Sequence, residues 1–396
     1  MKNFILIYFF AFVFVFINIT NINASDKVKE PKELIVEAHG AILIDEKSGR
    51  VLWGKNEEEQ LAMASTTKIM TAIVAIENGN MDDIIKISKR ATRSPKVKMN
   101  LSVDEEIKLE YLMYALMLQS FNDSAVAIAE HIGGSVEDFC KMMTQKAKEI
   151  GAYNTSFETP SGLDSENHYS TAHDMAIIAK YALENSEFVK IINTRNLEVK
   201  SNKRTYSLMN KNKLLDLMPG AKGVKTGFTG KAGHCFVGAV ERESISLISV
   251  VLGSGWGNNK KQKWIDTKKI LDFGFENFRY MDVIVNKEID KNIPVERSRN
   301  EILNLEFAEL LSMPLSNEEF ESIEIVLNIP NFVIAPVKNG DIVGVSKIYI
   351  NNKLEKEIEI IAINDVNRND LKTSIEKILN SWFDLAGEGS IVLPEF

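Results

Sequence analysis

Ala64-Ser65-Thr66-Thr67-Lys68-Ile69-Met70-Thr71-Ala72 sets a serine one helical turn ahead of a lysine, at the head of an apolar segment. From Ile69 to Ile76 only Thr71 is polar, and the run stops at Asn78-Gly79, a common helix stop. A helix apolar on nearly every face belongs in an interior, so the segment is expected to be the buried helix around which a domain is built. Ser65 and Lys68 share one face of it, within hydrogen-bond reach of each other. That is the spacing of a nucleophile and its base. A serine hydroxyl is a poor nucleophile until its proton is taken, and a lysine near its usual pKa of about 10.4 is almost fully protonated at neutral pH. Burial at the end of an apolar helix, with a second cation nearby, disfavours the ammonium form and brings the lysine into range. The free N–H groups of the first turn stand ready to hold an oxyanion. By itself S-x-x-K is a frequent chance pattern in a chain of this length, so the assignment depends on the rest of the sequence.

The 396-residue chain is 45% hydrophobic and carries a formal net charge of −8. Such a length suits two or three domains with a proper core, and the acidic balance argues against a nucleic-acid partner. Met1-Lys2-Asn3 is a short basic start, Phe4 to Ile17 is continuously apolar, and polar residues then lead to Asn23-Ala24-Ser25. This pattern predicts a secretory signal peptide over residues 1–24 with cleavage near Ala24. Its apolar core is shorter than the roughly 20 residues of a membrane span, although Ile19 and Ile22 leave an uncleaved anchor open. Cys140 and Cys235 are the two cysteines of the chain. They imply no disulfide framework in an exported protein, and two separate buried thiols are expected over a single bridge.

Beyond a linker over residues 25–34, Ala41-Ile42-Leu43-Ile44 and Val51-Leu52-Trp53 flank a turn, Glu46-Lys47-Ser48-Gly49. After the Ser65 helix, a polar connection from Lys86 to Asn100 leads to a helical region containing Leu112, Leu116 and Met117. Ser120-Phe121-Asn122-Asp123 interrupts that apolar pattern before Ala125 to Ile132 resumes it and Gly133-Gly134 halts it. A polar triplet between two apolar helices is placed to point into a cleft; it is equally the composition of a turn in which Asn122 or Asp123 caps the next helix. Ser135 is placed to cap a further helix ending at Gly151, and Ser170 or Thr171 the helix from Ala172 to Leu183. His168 and His173 with Asp174 do not have the spacing of a metal site on one helical face, so capping and packing are expected of them and no metal or cofactor is assigned. Gly223 to Phe228, Cys235 to Val240 and Ile245 to Leu252 form an antiparallel meander, and a helix from about Trp264 to Phe278 closes the first domain. Short apolar strands follow, including a hairpin with Asn351-Asn352 at its tip. In the tail, Leu371, Ile375, Ile378, Leu379, Trp382 and Leu385 recur at helical spacing. Such a helix can lie on a membrane surface, dock on its own domain or dimerise.

The meander contains Lys225-Thr226-Gly227. On a strand edge, Lys225 supplies a cation for a carboxylate and helps depress the pKa of Lys68, Thr226 offers a hydroxyl, and Gly227 lets a ligand approach the backbone. The N–H of Phe228 is placed to join that of Ser65 in an oxyanion hole. S-x-x-K, S-x-N and K-T-G in this order, in an exported chain, are the set found in class A β-lactamases and penicillin-binding proteins. The chain resembles the low-molecular-mass penicillin-binding proteins that act as D-alanyl-D-alanine carboxypeptidases. The likeness runs through Ala64 to Ala72, Asn122 to Gly134, Thr159 to Asp164, Ser170 to Met175 and Gly223 to Gly238, and covers roughly residues 35 to 365.

The resemblance implies an α/β fold: an antiparallel sheet with helices on both faces plus a helical subdomain over 35–280, then a small β-rich domain over 281–367. An amphipathic helix and tail over 368–396 would touch the membrane surface. It makes Ser65 the acylated nucleophile, Lys68 its base and Ser120 a proton relay to the leaving group. Asn122 would hold the substrate amide, and Lys225 with Thr226 the terminal carboxylate. Implied partners are peptidoglycan stem peptides and, as covalent inhibitors, β-lactams. Two departures stand out: Phe121 occupies the middle of the second motif where glycine is usual, and is expected to narrow the cleft or reshape peptide preference. Lys260, Lys261 and Lys263 stand where an arginine is expected, which leaves carboxylate binding to point charges. A serine β-lactamase and a non-turnover wall-binding protein are the competing readings. The first lacks a recognisable deacylating glutamate here, and the second leaves the nucleophile, base and carboxylate clamp without a purpose.

Overall fold

The computed structural model describes residues 15–17, 34–299, 301–369, 374–375 and 378–382. The chain divides into two compact units, one from Lys29 to Arg279 and one that comprises Met1–Val28 and Tyr280–Phe396.

The first unit is built on a five-stranded antiparallel sheet. Its strands are β1 (Gly40–Asp45), β2 (Val51–Lys55), β3 (Ala221–Thr229), β4 (Gly233–Arg242) and β5 (Ile245–Leu252), in the spatial order β2-β1-β5-β4-β3. The N-terminal hairpin, which ends at Lys55, therefore completes a sheet whose other three strands begin only at Ala221, as the distant apolar runs imply. β1 pairs with β5 in a register that sets Ile248 opposite Ile44 and Val250 opposite Ile42. Because side chains alternate along a strand, Ile42, Ile44, Ile248, Val250 and Leu252 point to one face and join a core with the helices α1 (Lys68–Asn78), α2 (Asn122–Gly133), α3 (Val136–Glu149) and α4 (Ala172–Leu183). Leu43 and Leu247 point the other way, where α5 (Gln262–Asn277) approaches so closely that a Cβ on Gly274 would lie 2.6 Å from Leu247. With both faces covered, every residue of β1 is buried. The predicted fold class, helices on both faces of an antiparallel sheet, is the one observed.

α1 is enclosed from Lys68 to Ala75, in keeping with its apolar circumference. Gly79 ends it in extended backbone rather than in the left-handed turn usual for a helix-stop glycine. The reason is space: a Cβ there would meet Ile132 at 2.6 Å and Leu109 at 2.7 Å. Ser135 caps α3 by accepting the Asp138 N–H, and Thr171 caps α4 by accepting that of Asp174. Ser170 bonds Thr155 instead. Two elements unforeseen in the sequence are small two-stranded ribbons, Ile84–Lys86 with Glu106–Lys108 and Asn196–Lys200 with Thr205–Met209.

The second unit holds a sheet in which two long strands, Ile342–Ile350 and Lys353–Ala362, form the predicted hairpin. Asn351 and Asn352 both take positive φ at its tip, 49° and 62°, as the tight turn matching strand twist requires. Ile348, Ile350, Ile358 and Ile360 face a core of their own with Leu303, Leu305 and Leu327. Val15–Ile17 runs antiparallel to Glu324–Asn328 at one edge of this sheet. The rest of the predicted leader lies outside the described residues, as do Leu371 and Leu385 of the tail. Residues 378–382 are helical, with Ile378 and Trp382 exposed. No helix among the described residues is long and apolar enough to cross a membrane.

Candidate active site

Ser65 does not sit in the α-helix itself but in a 3-10 turn, Ala64–Thr67, that leads into α1 at Lys68. The tighter turn keeps the serine on the same side as the lysine, and Lys68 Nζ lies 3.0 Å from Ser65 Oγ. Lys68 is fully buried. Its nitrogen also lies 2.9 Å from Asn122 Oδ1 and 2.5 Å from the Ser161 carbonyl oxygen, to which Ser65 Oγ donates at 3.2 Å. Asn122 is oriented by its own amide nitrogen, which donates to the Pro95 carbonyl at 3.2 Å. The lysine pKa is lowered well below its ordinary value, first by burial and then by the charge of Lys225, with Asp123 opposing. Both effects had been expected of this pair.

Lys225 is buried on β3 and finds one oxygen, the carbonyl of Thr226, at 3.0 Å. Burial, then Lys263 and Lys211, lower its pKa to about 7. β3 is the edge strand of the sheet, and opposite Phe228 the N–H of His234 goes to Gly255 O at 2.9 Å. The Phe228–His234 pair is thus a non-hydrogen-bonded one, and the Phe228 N–H points outward from the sheet. At Gly227 an added Cβ would lie 2.9 Å from Ser65 N; the absence of a side chain lets the strand run against the serine turn.

These elements enclose a cleft of about 420 Å³ whose wall includes Ser65, Ser120, Asn122, Thr226, Gly227 and Phe228. Lys68 and Lys225 stand behind it. Ser120 is held in the left-handed region, φ 64° and ψ 33°, at the end of a π-helical stretch, Ala115–Gln119. That conformation is costly for a residue with a side chain and recurs at functional sites.

A model of the D-alanyl-D-alanine carboxypeptidase family matches residues 26–255, and one described as the C-terminal domain of penicillin-binding protein 5 matches 278–368. The chain belongs to the D-alanyl-D-alanine carboxypeptidase family. Among its relatives, D-alanyl-D-alanine carboxypeptidase DacF of Bacillus subtilis is 31% identical over 89% of this chain and 92% of its own length. D-alanyl-D-alanine carboxypeptidase DacC of Escherichia coli is 30% identical over 88% of each. The crystal structure of penicillin-binding protein 5 from Haemophilus influenzae, 28% identical, superposes with a TM-score of 0.71 over 86% of this chain and 100% of that one.

Several features of this family member's cleft were not read from its sequence. The Ser161 carbonyl is a backbone group. Lys211 lines the cleft from a segment between the Thr205–Met209 strand and β3, and Lys96 from the connection before Asn100. Of the three lysines expected near the carboxylate site, Lys260 and Lys263 line the cleft and Lys261 is not among its lining residues. Phe121 requires a correction: its ring packs on the core rather than lining the cleft, and Lys211 Nζ lies 5.9 Å above it. The ring was free to turn inward because the chain reverses at Ser120. His168 is also buried, accepting the Glu158 N–H at Nδ1 and bonding Thr67 Oγ1 at 2.9 Å, while His173 faces Glu58. Cys140 and Cys235 are separate buried thiols.

Gly162 follows the Ser161 carbonyl with φ +81°, and a Cβ there would fall 1.9 Å from Ala64 O. Gly134, φ +71°, has nothing within 4 Å. Gly134→Ala should cost about 1 kcal/mol, the strain of a left-handed alanine. Gly162→Ala should cost at least about 2 kcal/mol more, since the loop must move off the serine turn. Urea denaturation of both variants checks this; equal destabilisation would contradict it.

Proposed function

We propose that Ser65, Lys68 and the cations around Lys225 make this chain a serine D-alanyl-D-alanine carboxypeptidase that trims the terminal D-alanine from peptidoglycan stem peptides. The observation that carries this reading is a fully buried lysine nitrogen 3.0 Å from the serine hydroxyl.

Neutral Lys68 takes the Ser65 proton as Oγ attacks the carbonyl of the penultimate D-alanine. The C–O bond forms, and the developing oxyanion sits between the N–H groups of Ser65 and Phe228. Collapse breaks the amide bond; the proton passes from Lys68 through Ser120 to the departing nitrogen, and D-alanine leaves. Water then attacks the ester, giving a proton to the same base; the C–Oγ bond breaks, Lys68 hands that proton back to Ser65 Oγ, and the shortened peptide is released. Asn122 holds the peptide amide through the part of its side chain not engaged by Lys68 and Pro95. The substrate's terminal carboxylate is met by Lys225 and Thr226, with Lys211 and Lys263 close enough to bear on Lys225 electrostatically. β-Lactams enter the same chemistry and stay bound as esters on Ser65. No cofactor or metal has a part in this sequence of steps.

Such an enzyme works outside the cytoplasm. The leader over 1–24 and the tail over 368–396 fit export followed by attachment at the outer face of the cytoplasmic membrane, the exposed Ile375, Ile378 and Trp382 supplying the apolar contact.

Ser65→Ala should lower D-alanine release from a peptide ending in D-Ala-D-Ala by about four orders of magnitude or more and abolish covalent penicillin labelling. Survival of either activity would refute the assignment of the nucleophile. Ending the chain at Asn369 should free the signal-cleaved protein from sedimenting membranes while activity on a small soluble peptide is kept. Unchanged sedimentation would rule out the tail as the anchor.

A further inference from the structure

His168 is buried, 3% exposed, at the foot of the loop that carries the Ser161 carbonyl. Glu158 closes that loop through its carboxylate, which accepts the Asn167 N–H at 3.1 Å. The two ring nitrogens of His168 have opposite and fixed roles. Nδ1 accepts the Glu158 N–H at 3.1 Å. In a neutral imidazole one nitrogen accepts and the other donates, so Nε2 carries the proton and donates to Thr67 Oγ1 at 2.9 Å. Burial keeps the ring neutral by pushing its pKa down to about 4, against Glu158 and Asp164 and with Lys68 and Lys231. Thr67, itself fully buried, has one hydroxyl proton and gives it to Ala64 O at 2.8 Å. The bonds therefore run in one direction, from the Glu158 N–H through His168 and Thr67 to the Ala64 carbonyl.

Ala64 O belongs to the peptide unit whose N–H is that of Ser65. A trans peptide is planar, with C=O and N–H pointing opposite ways, so whatever fixes one aims the other. Ala64 is held at φ 49°, a left-handed conformation that an alanine keeps only where its surroundings impose it. They impose it from the carbonyl side. Thr67 bonds the oxygen there, and Gly162 packs so closely that a Cβ would fall 1.9 Å from it. On the nitrogen side lies β3, where a Cβ on Gly227 would be 2.9 Å from Ser65 N. Of the two oxyanion donors, the Phe228 N–H is fixed by its place in β3. The Ser65 N–H is aimed by this chain of bonds.

We propose that His168 is a positioning residue for the oxyanion hole, acting through Thr67 and the Ala64 carbonyl to hold the Ser65 N–H toward the cleft. The inference rests on the carboxypeptidase reading and adds to it a residue that never touches substrate. Linked hydrogen bonds polarise one another, so the same chain strengthens the Ser65 N–H as a donor when charge develops on the substrate oxygen.

The test is single-turnover acylation of Ser65 by penicillin, which gives a saturating rate and a half-saturating concentration, with D-alanine release from a D-Ala-D-Ala peptide measured alongside. His168→Gln sets an amide nitrogen near the place of Nε2 and can still donate to Thr67; His168→Asn sets one near Nδ1 and cannot reach. Thr67→Val removes the hydroxyl and Thr67→Ser keeps it. His168→Asn and Thr67→Val should lower the saturating rate on the order of thirtyfold, short of the roughly hundredfold cost of losing an oxyanion donor outright. The half-saturating concentration should stay within about twofold, because the donor acts on the transition state. His168→Gln and Thr67→Ser should recover most of the rate. Rates refer to the folded fraction found by thermal melting, so instability lowers amplitude and not rate; if His168→Asn does not fold, the Thr67 pair decides. Equal rates for Asn and Gln at 168, or for Val and Ser at 67, in an enzyme whose wild type releases D-alanine would overturn the proposal and leave the carboxypeptidase reading standing. No D-alanine release from the wild-type protein would bring down that reading and this inference with it.

Discussion

The structure depends on the burial of one amine. Lys68 Nζ draws together three stretches of chain far apart in sequence, through Ser65 Oγ, Asn122 Oδ1 and Ser161 O. An ammonium group taken this far out of water is costly unless its charge is compensated, and with another buried cation behind it the balance shifts toward the neutral amine. A neutral amine has two N–H bonds and one lone pair. Asn122 Oδ1 and the Ser161 carbonyl can only accept, and the Asn122 amide nitrogen is turned away toward Pro95. With their two sites taking the N–H bonds, the lone pair is free to receive the Ser65 proton once that hydroxyl turns away from the Ser161 carbonyl, to which it donates at 3.2 Å. The burial that lowers the lysine's pKa also aims it, as the proposed base role requires.

Around that amine the positive charges are graded. Lys263 and Lys211 bear on Lys225, and Lys225 bears on Lys68. The outer members line the cleft; in the proposed reaction they meet the substrate carboxylate while the inner one works as the neutral amine. Lysines rather than an arginine fork at the carboxylate end bring point charges whose protonation responds to neighbours, whereas a guanidinium would remain charged throughout. Asp123 limits the effect, since its carboxylate pulls Lys68 the other way while it secures Met99 and Leu101.

Much of this was legible in the sequence because periodicity reports burial directly. The apolar circumference of α1, the continuous apolar runs of β1 and β5 and the Asn351-Asn352 turn all fold as their patterns dictate. The ribbon Asn196–Lys200 with Thr205–Met209 escaped notice because it fully buries only Val199 and Leu208, so its strands carry no sustained apolar run. The Ser161 carbonyl escaped because a backbone oxygen has no letter of its own; the one clue was Gly162 in a loop, whose hydrogen fits where a methyl cannot. Phe121 was misjudged because a triplet read as facing a cleft need not point all three side chains there. A left-handed Ser120 turns the phenyl ring onto the core, and no local propensity announces a left-handed serine.

The most direct test is the pH dependence of Ser65 acylation at saturating penicillin, followed by mass spectrometry of the intact protein in single-turnover mixing. A lysine held well below its ordinary pKa predicts an acylation rate that levels off well before pH 10.5 and falls as acid protonates Lys68. Lys225→Gln removes one of the two effects that lower that pKa, so it should move the acid limb to higher pH. A rate that keeps climbing tenfold per pH unit from 7 toward 10 would show an ordinary, protonated lysine and contradict the account.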